Sequence, residues 1–292
     1  MTGATRATRG TIFLEKARVI AQLAYDAEQF VLRLAAPKCA ARAEPGSFVH
    51  LTCDAAIPMR RPLSIMRANA RGGWIELLYK VVGVGLHALG ARKAGDELSV
   101  LGPIGRPFVV HAERPRVLLL GGGVGIPPMV FLAERLAVQP GWKPLMLMGS
   151  EVPFPFRTRP STLIVPGIPA GSIACLPLVE EWGVPCRLAS RADFPGCFSG
   201  LVTELAGAWL ESLTPAELGQ VEIFACGPTA MLVASTQLAR RYAVPCQVSL
   251  EEFMACAVGG CAGCTVLVRS DTGAAMKRVC VDGPVFDAYT VF

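Results

Sequence analysis

The sequence predicts a multi-domain chain in three parts: an antiparallel β-barrel, an α/β domain with a parallel sheet, and a small C-terminal domain built round cysteines. Three observations carry this expectation. Short apolar runs broken by Gly, Pro or Asp fill the first third, the pattern of an antiparallel barrel. In the middle, strand-like runs end in glycine turns and pass into helices, an alternation that implies a parallel sheet. Near the end, four cysteines stand at ligand-like spacing. The expected boundaries are 1–112, 113–243 and 244–292, and a chain of 292 residues can bury a core in each part.

In the first part, Thr11 to Ala36 contains the runs RVIAQLAY and FVLRLAA, followed by SFVHLTC, WIELLYKVV and ELSVLGP. Between two of these lies RRPLSI, Arg60 to Ile65, with an arginine and a serine three apart. Arg61 can pair with a phosphate while Ser64 reaches a heterocycle; an exposed turn explains the stretch equally well.

In the second part, Arg116 to Leu120 reads as a buried strand, GGGVGIPP (Gly121 to Pro128) as a glycine turn, and Met129 to Val138 as a helix with proline near its start. Gly121, Gly122, Gly123 and Gly125 leave backbone amides bare at a positive helix end, a place for a pyrophosphate. The stretch departs from G-x-G-x-x-G, since the third glycine position is Ile126, and tight connections alone would also explain the glycines. A strand is expected at Pro144 to Gly149, another at Val221 to Pro228, and a helix from Thr229 to Tyr242. Glu151 to Ser172 is proline-rich and fits a cover over the nucleotide, a partner contact or, as the composition favours, a semi-rigid surface loop; the sequence assigns it no one role. Its Arg157 and Arg159 suit a 2′-phosphate, whereas Glu151 suits a ribose 2′-hydroxyl.

The third part holds CAVGGCAGC. Cys256, Cys261 and Cys264 form C-x4-C-x2-C, and Cys280 follows after fifteen residues, the plant-type spacing for a [2Fe–2S] cluster. Small residues between the thiols let the chain wrap closely and aim N–H groups at sulfur. Four thiolates also satisfy zinc, although zinc sites more often pair two C-x2-C knuckles. The other seven, Cys39, Cys53, Cys175, Cys186, Cys197, Cys226 and Cys246, lack ligand spacing and read as small buried residues.

Composition excludes several classes. The hydrophobic fraction of 52% raises the question of a membrane span, but Val117 to Ala133 is interrupted by a glycine triplet and a proline pair. MTGATRATRG lacks an apolar signal core, so a cytoplasmic location with reduced thiols is expected. Net charge is +5 without a basic run, which argues against nucleic acid. His50, His87 and His111 are dispersed and fit structural or surface roles better than catalysis.

The order of R-P-x-S, GGGxGxxP, CGPxxM and the final cysteine loop resembles the electron-transfer subunit of class 1B dihydroorotate dehydrogenase, within the ferredoxin-NADP reductase superfamily, over nearly the whole chain. The resemblance implies FAD on Arg61, Pro62, Leu63 and Ser64, on Leu78, Tyr79 and Lys80, and at the glycine turn Gly83 to Leu86. The usual Gly-Thr pair there is Gly85-Leu86, so a hydroxyl expected at the FAD diphosphate is missing. It implies that GLVTE (Gly200 to Glu204) and CGPTAML, with Cys226, Gly227 and Pro228, shape a nicotinamide pocket, with Cys226 near the hydride path; as plain packing, Cys226 would only fill space. NAD is favoured over NADP by the resemblance alone. The implied partner is an FMN-containing catalytic chain that oxidises dihydroorotate, in a heterotetramer serving pyrimidine biosynthesis. Flavin is the required converter, because nicotinamide exchanges hydride and a cluster exchanges single electrons. The same modules would serve an oxygenase, a sulfite reductase, a hydrogenase or a bifurcating complex. A non-catalytic cluster sensor, or a zinc module on an inactive nucleotide fold, is the reading from another class.

Overall fold

The computed structural model describes residues 10–270 and 273–292. The signal-free N-terminus read from the sequence falls outside them except for Gly10. Six antiparallel strands close the barrel in the order β1-β2-β5-β4-β3-β6: β1 (Phe13–Tyr25), β2 (Gln29–Ala35), β3 (Phe48–Leu51), β4 (Arg61–Asn69), β5 (Trp74–Lys80) and β6 (Glu97–Ile104). Helix α1 (Pro37–Ala40) follows β2, and α2 (Gly83–Gly90) follows β5. Strand alternation sends Leu32, Leu34, Val49, Leu51, Ile65, Ile75, Leu77 and Tyr79 inward to a common core. RRPLSI is therefore no turn, because Arg61 to Ile65 open β4. The glycine turn expected at Gly83 to Leu86 is the first turn of α2.

The α/β domain is built on a seven-stranded sheet ordered β12-β11-β8-β7-β13-β14-β17. Its strands are β7 (Arg116–Gly122), β8 (Leu145–Gly149), β11 (Cys186–Ser190), β12 (Phe198–Ser199), β13 (Val221–Cys226), β14 (Cys246–Ser249) and β17 (Val285–Asp287), with only β17 antiparallel. A parallel sheet covered on both faces needs continuous apolar strands, and β7 and β13 are buried along nearly their whole length. The chain moves outward one way through β7, β8 and β11 and the other way through β13 and β14, so the switch point lies between β7 and β13. Helix α3 (Ile126–Ala137) starts three residues earlier than expected, since Pro127 and Pro128 occupy the first turn, where no intrahelical N–H is needed. Gly121 and Gly122 end the strand, which leaves Gly123–Gly125 as a 3-10 turn. Helices α4 (Pro177–Glu181), α5 (Val202–Glu211), α6 (Pro215–Leu218) and α7 (Thr229–Tyr242) complete the layers, α7 with the limits expected.

The proline-rich segment is held more firmly than a surface loop. Its Arg159–Pro160 (β9) pairs with Ala174–Cys175 (β10), Phe154 is buried, and Gln29 of the barrel donates to Pro153 O at 2.7 Å. The Arg187 guanidinium donates to Ser161 Oγ at 2.7 Å and to Leu163 O at 2.5 Å, and lies 3.5 Å from the Glu180 carboxylate. Ser161 Oγ and the N–H of Thr162 both donate to Glu180.

The C-terminal stretch carries the hairpin β15 (Thr265–Ser270) and β16 (Gly273–Arg278), then α8 (Val279–Asp282) and, beyond β17, α9 (Ala288–Val291). Strands β14 and β17 flank the hairpin in sequence yet belong to the nucleotide sheet, across the boundary expected at 243/244. Among the described residues, no helix is long and apolar enough to cross a membrane. Replacing Glu180 with Ala should strand the buried Arg187 charge and lower the unfolding free energy by about 3–5 kcal/mol. Urea denaturation checks this, and adding Arg187→Met should restore part of the loss.

Candidate functional site

Main-chain geometry prepares a slot on the barrel. The ladder between β4 and β5 ends at the Ile65–Leu77 pair; beyond it Arg61 to Ser64 pair with β3, and Leu78 to Lys80 pair with β2. The two segments thus face each other with open main-chain edges, which offer N–H and C=O groups to a heterocycle. Arg61 guanidinium donates to Met59 O at 2.8 Å and lies against the first turn of α2, where a Cβ on Gly85 would stand 2.8 Å from its Nη2. An arginine and the free N–H groups of a helix start together make a place for a diphosphate. Arg60, by contrast, is committed to the barrel through His50 O, Ser99 O and Ser99 Oγ.

Alternation divides the predicted flavin residues. Pro62 and Ser64 are half-buried opposite His50 and Phe48 of β3, on the outer face. Leu63 and Tyr79 point into the barrel core, where Tyr79 stacks on Phe30 at 5.4 Å and donates to Gln22 Oε1 at 3.0 Å. Burial, with a smaller effect from Cys53, holds the Tyr79 hydroxyl well above the ordinary phenol range. With their side chains in the core, Leu63 and Tyr79 have only main chain to turn toward the slot. Leu78 and Lys80 flank Tyr79 on the other side of the strand, and Leu78 also lines a cavity of about 430 Å³ with Met66, Ile126, Val130 and Arg157. Leu86 packs against the barrel core.

At the switch point Gly121 of β7 and Cys226 of β13 are register partners. A Cβ on Gly125 would lie 2.4 Å from the Cys226 main chain, so only glycine lets the two loops meet. Met231 packs its thioether on both Gly122 and Gly227, which gives the methionine of CGPxxM a role the sequence did not show. Pro228 caps α7. The Cys226 thiol is 1% exposed, and burial, then the charge of Glu251, push it far above the thiol range, so it contributes shape and no ready thiolate. Glu251, two residues past the end of β14, went unnoticed in the sequence because no motif marks it.

The four thiols gather as two pairs. Cys256 Sγ accepts the Cys261 N–H at 3.4 Å and interacts with the Cys261 side chain; Cys280 Sγ is paired with Cys264. Cys264 and Cys280 are buried, Cys256 is half-buried and Cys261 exposed. Burial raises Cys256, but the N–H groups of Val258, Cys261 and Gly260 with the Cys261 side chain outweigh it and bring the thiol down to about 7. Burial, then Cys264, push Cys280 up to about 12. Gly259, at φ +81°, turns the loop and accepts Arg278 Nη1 at its carbonyl, 3.1 Å away. N–H groups aimed at sulfur and two thiols for each of two irons fit a [2Fe–2S] centre. Among the described residues no three or more His, Cys, Asp or Glu side chains converge on one metal position.

The other candidates fall away from this site. Glu151 pairs with Arg191 at 3.1 Å, and Arg159 lies 3.9 Å from Glu181. His87 sits in α2, and His111 Nδ1 meets the buried Glu222 at 3.0 Å. His50 is buried beside the main chain of Met254 and Arg60, and neither ring nitrogen is hydrogen-bonded. A groove of about 1590 Å³ opens at the amino ends of β13 and β14 and contains none of the predicted site residues.

Comparison with known proteins agrees with this geometry. Residues 251–292 match the family model described as the iron-sulfur cluster binding domain of dihydroorotate dehydrogenase B. The chain is 35% identical over 248 residues to the dihydroorotate dehydrogenase B (NAD(+)) electron transfer subunit of Caldanaerobacter subterraneus subsp. tengcongensis, covering 85% of this chain and 86% of the relative. It is 30% identical to the subunit of the same name from Desulforamulus reducens, covering 94% and 97%. Among solved structures, an NADH-dependent reduced ferredoxin-NADP oxidoreductase studied for flavin-based electron bifurcation superposes with a TM-score of 0.76 at 26% identity, covering 95% of this chain and 90% of that one. Phthalate dioxygenase reductase shares the fold at 14% identity and a TM-score of 0.54, with 91% and 76% covered.

Arg61→Ala should weaken retention of the dinucleotide by about tenfold to a hundredfold, the value of one charge-assisted hydrogen bond. Gly85→Ala should act in the same direction by displacing that guanidinium. Fluorescence titration of flavin-free protein with FAD measures both, and unchanged affinity in Arg61→Ala removes the assignment.

Proposed function

Because the chain belongs to the family of dihydroorotate dehydrogenase B electron-transfer subunits, we propose that it carries electrons from a partner dehydrogenase to NAD+ in pyrimidine biosynthesis, in the cytoplasm. The partner is an FMN-containing chain that oxidises dihydroorotate, assembled with this one as a heterotetramer. The observation that supports this most is that one buried cluster joins the three parts that carry the binding elements, through Phe48 of β3, Leu120 and Ala225 of β7 and β13, Leu250 and Met254, and Ala257 and Cys264 of the cysteine loop.

Each element has a role set by its own atoms. Arg61 and the first turn of α2 hold the diphosphate of FAD, while Pro62, Ser64, Leu78 and Lys80 border its ring system. Gly123 to Gly125, Cys226, Gly227 and Pro228 shape the space for NAD, and the crowding of Gly125 on Cys226 keeps it narrow. Cys256, Cys261, Cys264 and Cys280 hold the cluster, with Cys264 and Cys280 on the protein side and Cys261 toward solvent. When bound, the flavin exchanges hydride with nicotinamide and single electrons with the cluster. The exposed rim at Cys261, with Phe253 and Val258 exposed nearby in sequence, is the face for the catalytic chain. The domain limits best supported are a barrel to about Val110, a nucleotide domain that keeps β14, and a cluster domain from Glu251.

The likeness to the bifurcating oxidoreductase favours one rival, a subunit of such a complex. Co-purification with the visible spectrum decides between them: a flavin-cluster spectrum arriving with an FMN dehydrogenase chain supports the dihydroorotate reading, and a bifurcating partner overturns it. In the same preparation Cys261→Ser should remove the cluster absorbance and electron transfer to one-electron acceptors, while FAD stays bound. An unchanged spectrum would exclude Cys261 as a ligand.

A further inference from the structure

A [2Fe–2S] centre takes its potential in large part from the N–H groups that face its sulfurs, so whatever aims those groups decides how readily the cluster accepts an electron. In the cysteine loop one of them has no steric reason to stay in place. The peptide between Gly259 and Gly260 is flanked by two glycines, a Cβ on Gly260 would meet nothing within 4 Å, and Gly259 stands at φ +81°. Such a peptide turns over at little steric cost. It is trans, so its C=O and N–H point to opposite sides. The Gly260 N–H faces the Cys256 sulfur. The Gly259 carbonyl, on the other side, accepts Arg278 Nη1 at 3.1 Å.

Arg278 is itself held by its own segment. Its main-chain N–H donates to Asp282 Oδ2 at 2.9 Å, and its Nε lies 3.4 Å from the same oxygen. The next residue, Val279, donates its N–H to Cys264 O at 2.9 Å. Helix α8, which carries Cys280, is thus fastened to the three-thiol loop at two points, Cys264 O and Gly259 O. The two segments pack closely, since a Cβ on Gly259 would stand 2.5 Å from Val281 Cγ2. The Asp282 carboxylate stands against the guanidinium, so the pair carries little net charge and its effect at a distance is small. What reaches the loop is the hydrogen bond. A charged donor on a carbonyl polarises the peptide and strengthens the N–H at its other end.

We propose that Arg278 is a positioning residue for the cluster: it fixes the Gly259–Gly260 peptide with its N–H on the Cys256 sulfur, and so raises the reduction potential. On the assignment of the four thiols to a [2Fe–2S] centre, on which this rests, reduction adds one electron with no bond made or broken. An N–H dipole aimed at sulfur favours the more negative state. Without the guanidinium the peptide is free to rotate, its N–H leaves the sulfur and the oxidised state gains. The four thiols themselves are untouched, which separates this role from that of a ligand.

Redox titration of the complete chain, loaded with FAD and cluster and followed by the electron paramagnetic resonance of the reduced cluster, tests this. In Arg278→Gln the ratio of reduced to oxidised cluster at a fixed poise should fall about tenfold, a drop of about 59 mV for a one-electron couple. The drop should be the same at about 0.05 M and about 0.5 M salt, because salt screens the field of an exposed charge and leaves a hydrogen bond in place. FAD affinity should not change. Arg278→Lys, which returns one N–H donor to the carbonyl, should recover most of the potential, and Lys277→Gln, a neighbouring cation, should match the wild type. An unchanged potential in Arg278→Gln, a drop that vanishes in high salt, or an equal drop in Lys277→Gln would overturn the proposal. Should Arg278→Gln take up no cluster, Asp282→Ala gives the reading, since it removes the anchor of Arg278. A lower potential there supports the proposal, whereas an unchanged or higher one, the effect of a lost negative charge alone, overturns it. Failure of the underlying cluster assignment looks different, since the wild-type chain would then lack cluster absorbance.

Discussion

A single hydrophobic cluster runs through all three parts of this chain, and the relation between its sites depends on it. Phe48 and Ile104 of the barrel, Leu118, Leu120, Val221 and Ile223 of the parallel sheet, and Ala257, Cys264 and Cys280 of the cysteine loop are buried together. Burial of apolar area is non-directional, but a close-packed core of this kind holds its walls at fixed separations. Electron exchange needs close approach of donor and acceptor, and a shared core keeps the segments that would hold them at one separation instead of leaving that to chance encounters of tethered domains. The C-terminal strand β17, laid on β14 in the nucleotide sheet, and the Arg106 N–H bond to Gly283 O at 2.6 Å tie the barrel end into the same body.

Within that body the binding elements work mainly through the main chain. The slot between β4 and β5 exists because the ladder stops, and the two glycine loops meet because neither Gly125 nor its surroundings holds a side chain at the crossing. Such places tolerate little variation, since a Cβ collides with backbone that no rotamer can move. Side chains supply charge where the backbone cannot. Arg61 stays clear of the barrel network that consumes Arg60, and so remains available for a phosphate.

The thiols show the same division between support and exposure. Cys264 and Cys280 belong to the shared core, whereas Cys261 lies at the surface with Phe253 94% exposed nearby in sequence. A centre held this way is anchored to the interior on one side and open to a partner on the other. Burial and Cys264 raise Cys280, and N–H groups lower Cys256, so the protein already differentiates these two sulfurs.

Much of this was legible in the residues because its cause is local. Cysteine spacing within one loop fixes which thiols can meet, and helix α7 declared its limits through Pro228 before it and the run that follows. The glycine loops announced a parallel sheet with its sites at the strand ends. Other features depend on segments far apart in sequence. Whether RRPLSI is turn or strand depends on β3 lying beside it, and whether Tyr79 faces flavin or core depends on its register with Phe30. The proline-rich segment looked unattached because its anchors, Glu180 and Arg187, lie beyond it in the chain. The sequence by itself determined the chemistry available, namely four thiols at ligand spacing, two glycine loops and the arginine of R-P-x-S, since ligand spacing and backbone freedom are properties of short stretches. Only the tertiary structure decided which side chains share a face and which loops meet, because those relations arise from packing distant strands into one core.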